Sequence, residues 1–115
     1  MYTIIKECDF MLKHITSDEY QAEVLNCKGK VLVDFFATWC GPCQMLSQVL
    51  EKFSEEEQQV KIVKINIDEE TGLAIENKVE VVPTMMFFKD GKLIKRVEGY
   101  VDEEKLKEII NADSI

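Results

Sequence analysis

The chain has 115 residues, which is enough for one domain with its own hydrophobic core but not for two. Apolar residues make up 46% of it and charged residues 31%, the composition of an ordinary globular domain. The net charge is −8, and lysine and arginine are dispersed, so we expect no nucleic-acid binding. No apolar run reaches the roughly 20 residues that span a bilayer, and no secretory signal pattern opens the chain, so we expect a cytoplasmic protein without membrane contact.

The first elements follow from capping and periodicity. Residues 1–10 show no clear periodicity, so we predict a mobile or loosely docked N-terminal extension before a domain over residues 11–115. Thr16, followed three residues later by Glu19, is typical of a capping box that begins a helix. The nearly continuous apolar run Val31–Phe36 predicts a central strand covered on both faces.

Apolar residues then recur at helical spacing from Met45 to Phe53, which predicts a long amphipathic helix. The remaining predicted elements are a strand over 60–67, a short helix over 71–77, hairpin strands over 84–88 and 93–97 that turn at Asp90-Gly91, and a last helix capped by Asp102. The order βαβαβαββα predicts an α/β fold with a mixed sheet, parallel in its early strands and antiparallel in its C-terminal hairpin, between four helices.

The segment Trp39-Cys40-Gly41-Pro42-Cys43 places two thiols where the central strand gives way to a helix. Ligand chemistry in α/β sheets collects at that end of a strand, and proline suits a first helical turn. Cys40 would lie near unpaired N–H groups and the positive end of the helix dipole, which favour its thiolate. Cys43 would be more buried and keep its proton. We infer a redox-active pair in which Cys40 attacks a disulfide and Cys43 resolves the mixed disulfide.

Three further residues carry candidate roles. Asp34 interrupts the apolar strand before the cysteines, so burial should raise its pKa. It either caps a neighbouring backbone group or exchanges a proton with Cys43, and its strand favours the second role. Lys64, on the adjacent predicted strand, is placed to tune that carboxylate. Pro83 either begins an edge strand or forms a cis peptide beside the thiols, and both alternatives stay open.

The run Val33–Cys43 strongly resembles the active-site segment of the thioredoxin family. The similarity covers about residues 11–112 and continues through Lys64–Asp68, Val82-Pro83-Thr84, Phe88–Gly91 and Gly99. The resemblance implies a five-stranded mixed sheet with flanking helices. It also implies that Cys40 is the nucleophile, Cys43 the resolving thiol, Asp34 the buried carboxylate, Lys64 its neighbour and Pro83 a cis proline.

The resemblance also implies a function and its partners. The protein would reduce disulfides of client proteins as a monomer, without a bound cofactor or metal, and a flavin-dependent thioredoxin reductase would recharge it with electrons from NADPH. The implied substrate-docking surface consists of Trp39, Gly41, Pro42, Val82, Pro83, Thr84 and Gly99.

Departures from the family pattern concern residues outside the catalytic set. Gln48 stands where many members have a helix-kinking proline, so we expect a straighter helix. Phe36 replaces a frequent second tryptophan, which leaves Trp39 as the only indole. Cys8 and Cys27 have no family role and are interpreted as inert thiols, with a regulatory or dimer-forming disulfide as the alternative.

Other interpretations compete with protein-disulfide reduction. A zinc site is disfavoured because the chain has one close cysteine pair and no second one. His14 is interpreted as a surface histidine distant from the thiols. A binding module with incidental thiols has no need of the whole set Cys40, Cys43, Asp34 and Pro83. An oxidase or isomerase is the runner-up within the enzyme class, but Gly41-Pro42 matches the reducing members.

Overall fold

A computed structural model of the chain describes residues 6–7, 11–57 and 59–112. Its elements in chain order are β1 (Lys6–Glu7), β2 (Lys13–His14), α1 (Ser17–Tyr20) with a π-helical continuation (Gln21–Leu25), β3 (Cys27–Lys28), β4 (Lys30–Phe36), α2 (Gly41–Glu56), β5 (Val60–Asn66), α3 (Thr71–Glu76), β6 (Thr84–Lys89), β7 (Lys92–Glu98) and α4 (Glu103–Ala112). None of the helices in these ranges is long and apolar enough to cross a membrane.

The main sheet has five strands in the order β2-β5-β4-β6-β7, with β4 at its centre. β2 and β4 pair parallel with β5, while β6 pairs antiparallel with both β4 and β7. The predicted mixed sheet and its C-terminal hairpin are therefore confirmed. The register sets Asp34 on β4 between Lys64 on β5 and Met85 on β6, so the two charged residues are direct neighbours.

Apolar residues cover both faces of the sheet. Successive side chains of a strand point to opposite faces, so each strand contributes to both clusters. One core cluster joins Val33 and Phe35 of β4 to Tyr20 and Val24 of the first helix. The other joins Leu32 to apolar residues of α2 and α4, among them Leu46, Leu50, Phe53, Leu106 and Ile109. Asp34 follows Leu32 by two residues, so its side chain points to the α2 side of the sheet.

The predicted caps are present at both ends of the fold. The Glu19 carboxylate accepts a hydrogen bond from the Thr16 backbone N–H at 2.9 Å, and the Glu19 N–H donates to the Thr16 carbonyl oxygen at 3.1 Å. The Asp102 carboxylate accepts from the Lys105 N–H at 2.8 Å. These bonds satisfy N–H groups that the first turn of a helix leaves without an intrahelical partner.

The turn of the β6–β7 hairpin is docked against the rest of the domain. Asp90 and Gly91 have φ angles of 51° and 83°, the left-handed conformation that a two-residue hairpin turn requires. The Gly29 N–H donates to the Asp90 carboxylate at 2.7 Å, and the Asp90 N–H donates to the Gly29 carbonyl at 2.9 Å. A Cβ atom on residue 91 would collide with the Leu25 carbonyl oxygen. Glycine is therefore required both for conformation and for space.

Part of the predicted N-terminal extension is paired with the domain. Lys6–Glu7 lies parallel to Cys27–Lys28 in a separate sheet of two short strands. Two-residue strands carry no periodic signal, so local periodicity does not predict this pairing. The rest of the extension, including Cys8, lies outside the described residues.

A buried lysine on β5 was also unexpected. Lys61 is only 1% exposed, and its ammonium forms an ion pair with the Glu23 carboxylate, which also lies 3.1 Å from Lys13 Nζ. The hydrogen bond from Lys61 is the main cause that lowers the pKa of Glu23. Cys27 Sγ lies 3.6 Å from the same ammonium, and this sulfur is disulfide-bonded, so the interpretation of Cys27 as an inert thiol is wrong. This cluster joins the first helix to the sheet.

Candidate active site

The cysteine pair lies at the beginning of α2. Cys40 is the N-cap residue, and Pro42 occupies the first helical turn. Cys40 and Cys43 form a disulfide bond with their Cα atoms 5.2 Å apart. The Cys43 N–H donates to Cys40 Sγ at 3.1 Å. A negative charge on Cys40 Sγ would therefore be stabilised by this N–H group and by the positive end of the helix dipole.

The residues next to the disulfide form an exposed rim. Trp39 is 69% exposed, and its indole Nε1–H donates to Asp68 Oδ2 at 2.9 Å. Gly41 and Pro42 are also exposed, whereas Cys43 is 2% exposed. Exposed apolar surface of this kind beside a reactive group is typical of a protein-docking site.

A second segment approaches the disulfide from the start of β6. The Val82–Pro83 peptide bond is cis, as the family resemblance implied, and the Val82 carbonyl oxygen lies 3.7 Å from Cys40 Sγ. The Gly99 N–H donates to the Pro83 carbonyl at 2.8 Å. Hydrogen bonding therefore links Gly99, distant in sequence, to the segment that meets Cys40.

Thr84 is placed differently from the other residues of the expected docking surface. Its side chain is fully buried, and its hydroxyl donates to the Val81 carbonyl at 2.6 Å. The side chain therefore fastens the Val82-Pro83 turn from the inside and has no surface to offer a client. Thr84 alternates to the inner face because it is already the first residue of β6.

Asp34 is a buried carboxylate on the strand that leads to the cysteines. Its side chain has no exposed surface, and neither oxygen accepts a hydrogen bond from any residue that the structure describes. The alternative interpretation as a backbone cap is therefore wrong. Burial raises the pKa of Asp34 to about 7, against the opposing effect of the Lys64 ammonium.

The Lys64 ammonium lies between β4 and α2. It donates to Ser47 Oγ at 2.6 Å, lies 4.0 Å from Asp34 Oδ2, and stands 4.8 Å from the centre of the Phe36 ring. Ser47 was not among the predicted site residues. A signal was available, since Ser47 follows Cys43 by four residues and so lies on the same face of α2.

A cavity of about 290 Å³ joins Lys64 and Ser47 to Cys43. Its lining includes His14, Phe36, Cys43, Ser47 and Lys64. The prediction that His14 is distant from the thiols is wrong, because the parallel pairing of β2 with β5 sets it beside Lys64. Its ring meets Phe36 edge-on at 5.5 Å, and burial together with Lys64 lowers its pKa. Polar groups and space for water thus reach the buried Cys43 sulfur.

The described residues contain no group of three or more His, Cys, Asp or Glu side chains arranged to hold a metal ion. What they assemble is a disulfide at a helix N-terminus, the carbonyl of the cis Val82–Pro83 bond near one sulfur, and a cavity lined by His14, Ser47 and Lys64 beside the other. This arrangement defines a site for dithiol–disulfide exchange.

Comparison with known proteins leads to the same class. The thioredoxin family model matches residues 11–112. A thioredoxin of Chlamydia pneumoniae is 46% identical over 101 residues, which cover 88% of this chain and 97% of that protein. A thioredoxin of Chlamydia caviae is 41% identical over 90% of this chain and its own full length, and one of Listeria monocytogenes is 41% identical over 88% and 97%. The chain belongs to the thioredoxin family. It is accordingly a thiol–disulfide oxidoreductase that acts on disulfide-containing proteins.

Proposed function

We propose that this oxidoreductase works in the reducing direction, with Cys40 as its nucleophile and Cys43 as its resolving thiol. The observation that carries the proposal is the position of Cys40 at the N-cap of α2, where its sulfur accepts the Cys43 N–H beside the exposed rim. Cys43, one helical turn further in, faces the cavity instead.

The first step forms a mixed disulfide. The Cys40 thiolate attacks one sulfur of the client disulfide, the client S–S bond breaks, and the other client sulfur leaves as a thiolate. The client would dock on the rim formed by Trp39, Gly41 and Pro42 and on the turn formed by Val82, Pro83 and Gly99. Docking there brings the client sulfur toward Cys40, because the Val82 carbonyl already lies 3.7 Å from Cys40 Sγ.

The second step releases the reduced client. Cys43 gives its proton to the Asp34 carboxylate, and the resulting thiolate attacks Cys40 Sγ. The mixed disulfide breaks, the remaining client sulfur leaves as a thiolate, and the Cys40–Cys43 disulfide forms. The client has gained two electrons and the protein has lost two. A pKa of about 7 suits Asp34 to this exchange, because it can then accept and return a proton near neutral pH.

The remaining parts of the proposal concern the cellular setting. A thioredoxin reductase would return the two electrons from NADPH, and the protein would act as a cytoplasmic monomer. The expected assay couples NADPH oxidation to thioredoxin reductase and the reduction of insulin. Turnover supports the reducing function, and no turnover by protein with intact thiols contradicts it. A reduction potential against glutathione near those of oxidising relatives would instead favour the oxidase.

Trapping separates the roles of the two cysteines. Cys43→Ser should retain the attack by Cys40 but lose the resolving step, so mixed disulfides with client proteins should accumulate. Non-reducing gels would display these adducts, and dithiothreitol should release them. The matched control, Cys40→Ser, should trap no clients. Trapping by the control alone would reverse the assigned roles.

A further inference from the structure

We propose that Ser47 is a positioning residue that holds the Lys64 ammonium away from the Asp34 carboxylate. The inference deepens the proposed function and rests on the proton exchange assigned there to Asp34. Ser47 belongs to the helix that begins at the cysteine pair, and among the described residues its hydroxyl hydrogen-bonds to Lys64 and not to either of the reacting sulfurs. Its influence on the reaction passes through Lys64.

The geometry shows a competition for one ammonium group. Ser47 Oγ takes a hydrogen bond from Lys64 Nζ at 2.6 Å, whereas Asp34 Oδ2 remains at 4.0 Å, beyond hydrogen-bond distance. The Phe36 ring, 4.8 Å from the ammonium, attracts it in addition. The Asp34 carboxylate is therefore buried without a direct hydrogen bond from the ammonium, even when it is ionised.

This separation preserves Asp34 as a base. A direct ammonium–carboxylate bond would stabilise the ionised form and make Asp34 a poor acceptor of the Cys43 proton. Shortening the separation from 4.0 Å to about 2.8 Å would lower the pKa of Asp34 by about one pH unit at an effective dielectric constant of about 20. Ser47 therefore sets how strongly Lys64 opposes the rise in the Asp34 pKa that burial causes.

Other titratable groups surround the same pocket. β5 supplies Lys64, α2 supplies Cys43, and β2 supplies His14 beside Lys64. The β6 neighbour of Asp34 is Met85, which does not titrate. In the oxidised protein Cys43 is part of the disulfide and does not titrate. The titration of Asp34 can therefore be measured there without interference from a thiol.

The test is the pKa of Asp34 in Ser47→Ala, measured from the ¹³C chemical shift of its carboxyl carbon in the oxidised protein. Without the hydroxyl, the ammonium should move to the carboxylate, and the Asp34 pKa should fall by about one pH unit. Ser47→Thr keeps a hydroxyl and should retain the wild-type value. An unchanged or raised Asp34 pKa in Ser47→Ala would overturn the proposal.

Two controls establish that the effect passes through Lys64. Ser54→Ala removes a hydroxyl from the same helix, where Ser54 Oγ bonds the Glu51 carbonyl at 2.8 Å, and should leave the Asp34 pKa unchanged. In a Lys64→Met background, Ser47→Ala should no longer lower that pKa. A fall that persists in this background would refute the positioning role, because no ammonium remains to be moved.

The rate of mixed-disulfide resolution distinguishes this proposal from the function on which it rests. The pH profile of resolution in Ser47→Ala should move to lower pH together with the Asp34 pKa. A shifted pKa with an unshifted profile would retain Ser47 as the positioning residue but overturn the proton exchange by Asp34. An unshifted pKa would overturn the role of Ser47 while leaving the proton exchange to its own test by Asp34→Asn.

Discussion

Asp34→Asn should stabilise the oxidised protein, and the gain should grow with pH. The carboxyl has an ordinary pKa of 3.8 and a pKa of about 7 in the fold. Below pH 3.8 both the folded and the unfolded chain keep the proton, so Asp34 ionisation does not lower the free energy of unfolding. Between the two values the unfolded chain releases the proton while the fold retains it, and stability falls as pH rises. Above about pH 7 the carboxylate is ionised in both states, and the loss of folding stability has reached its full size.

The size of the effect follows from the two pKa values. Each pKa unit corresponds to about 1.4 kcal/mol, so the rise from 3.8 to about 7 gives a cost of about 4 kcal/mol at pH 8 and above. The side chain is fully buried, so solvent does not screen this cost away. Asparagine has nearly the same shape as aspartate but no charge, so Asp34→Asn removes this cost of ionisation. Such a gain is a large fraction of the about 5–15 kcal/mol that stabilises a typical domain.

The assay is denaturant unfolding of the oxidised wild type and Asp34→Asn from pH 4 to pH 9. The difference in the free energy of unfolding should be small at pH 4, increase through neutral pH and level off above it. Asp18→Asn, which alters an exposed carboxylate on α1, is the matched control and should change stability by less than about 0.5 kcal/mol at each pH. A difference independent of pH, or one that decreases as pH rises, would refute the reasoning.

Two further predictions concern the scaffold. Gly91→Ala should destabilise the protein by about 1–3 kcal/mol in thermal or denaturant unfolding, because a Cβ there strains a φ of 83° and collides with the Leu25 carbonyl. Gly72→Ala is the control, because the space around Gly72 is open, and this substitution should not lower the stability. Glu23→Leu should cost about 3 kcal/mol because it strips buried Lys61 of its carboxylate, whereas Lys61→Met should be nearly neutral; equal losses in both variants would contradict this.

The local patterns of the sequence were sufficient for the elements and for the reactive pair. The apolar run Val31–Phe36 became the central strand, and Pro42 between the cysteines marked the first turn of α2. Asp90-Gly91 formed the predicted hairpin turn. These features depend on residues close together in the chain, where backbone conformation and side-chain periodicity leave a readable trace.

The sequence by itself therefore determined the class of fold and the presence of a redox pair at a helix N-terminus. The tertiary structure decided the surroundings of the buried carboxylate. Strand register set Lys64 beside Asp34 and His14 beside Lys64, while the packing of α2 on the sheet gave the ammonium to Ser47. Packing also buried Lys61 against Glu23. These contacts join residues far apart in the chain, and no local periodicity encodes which distant side chain will stand opposite.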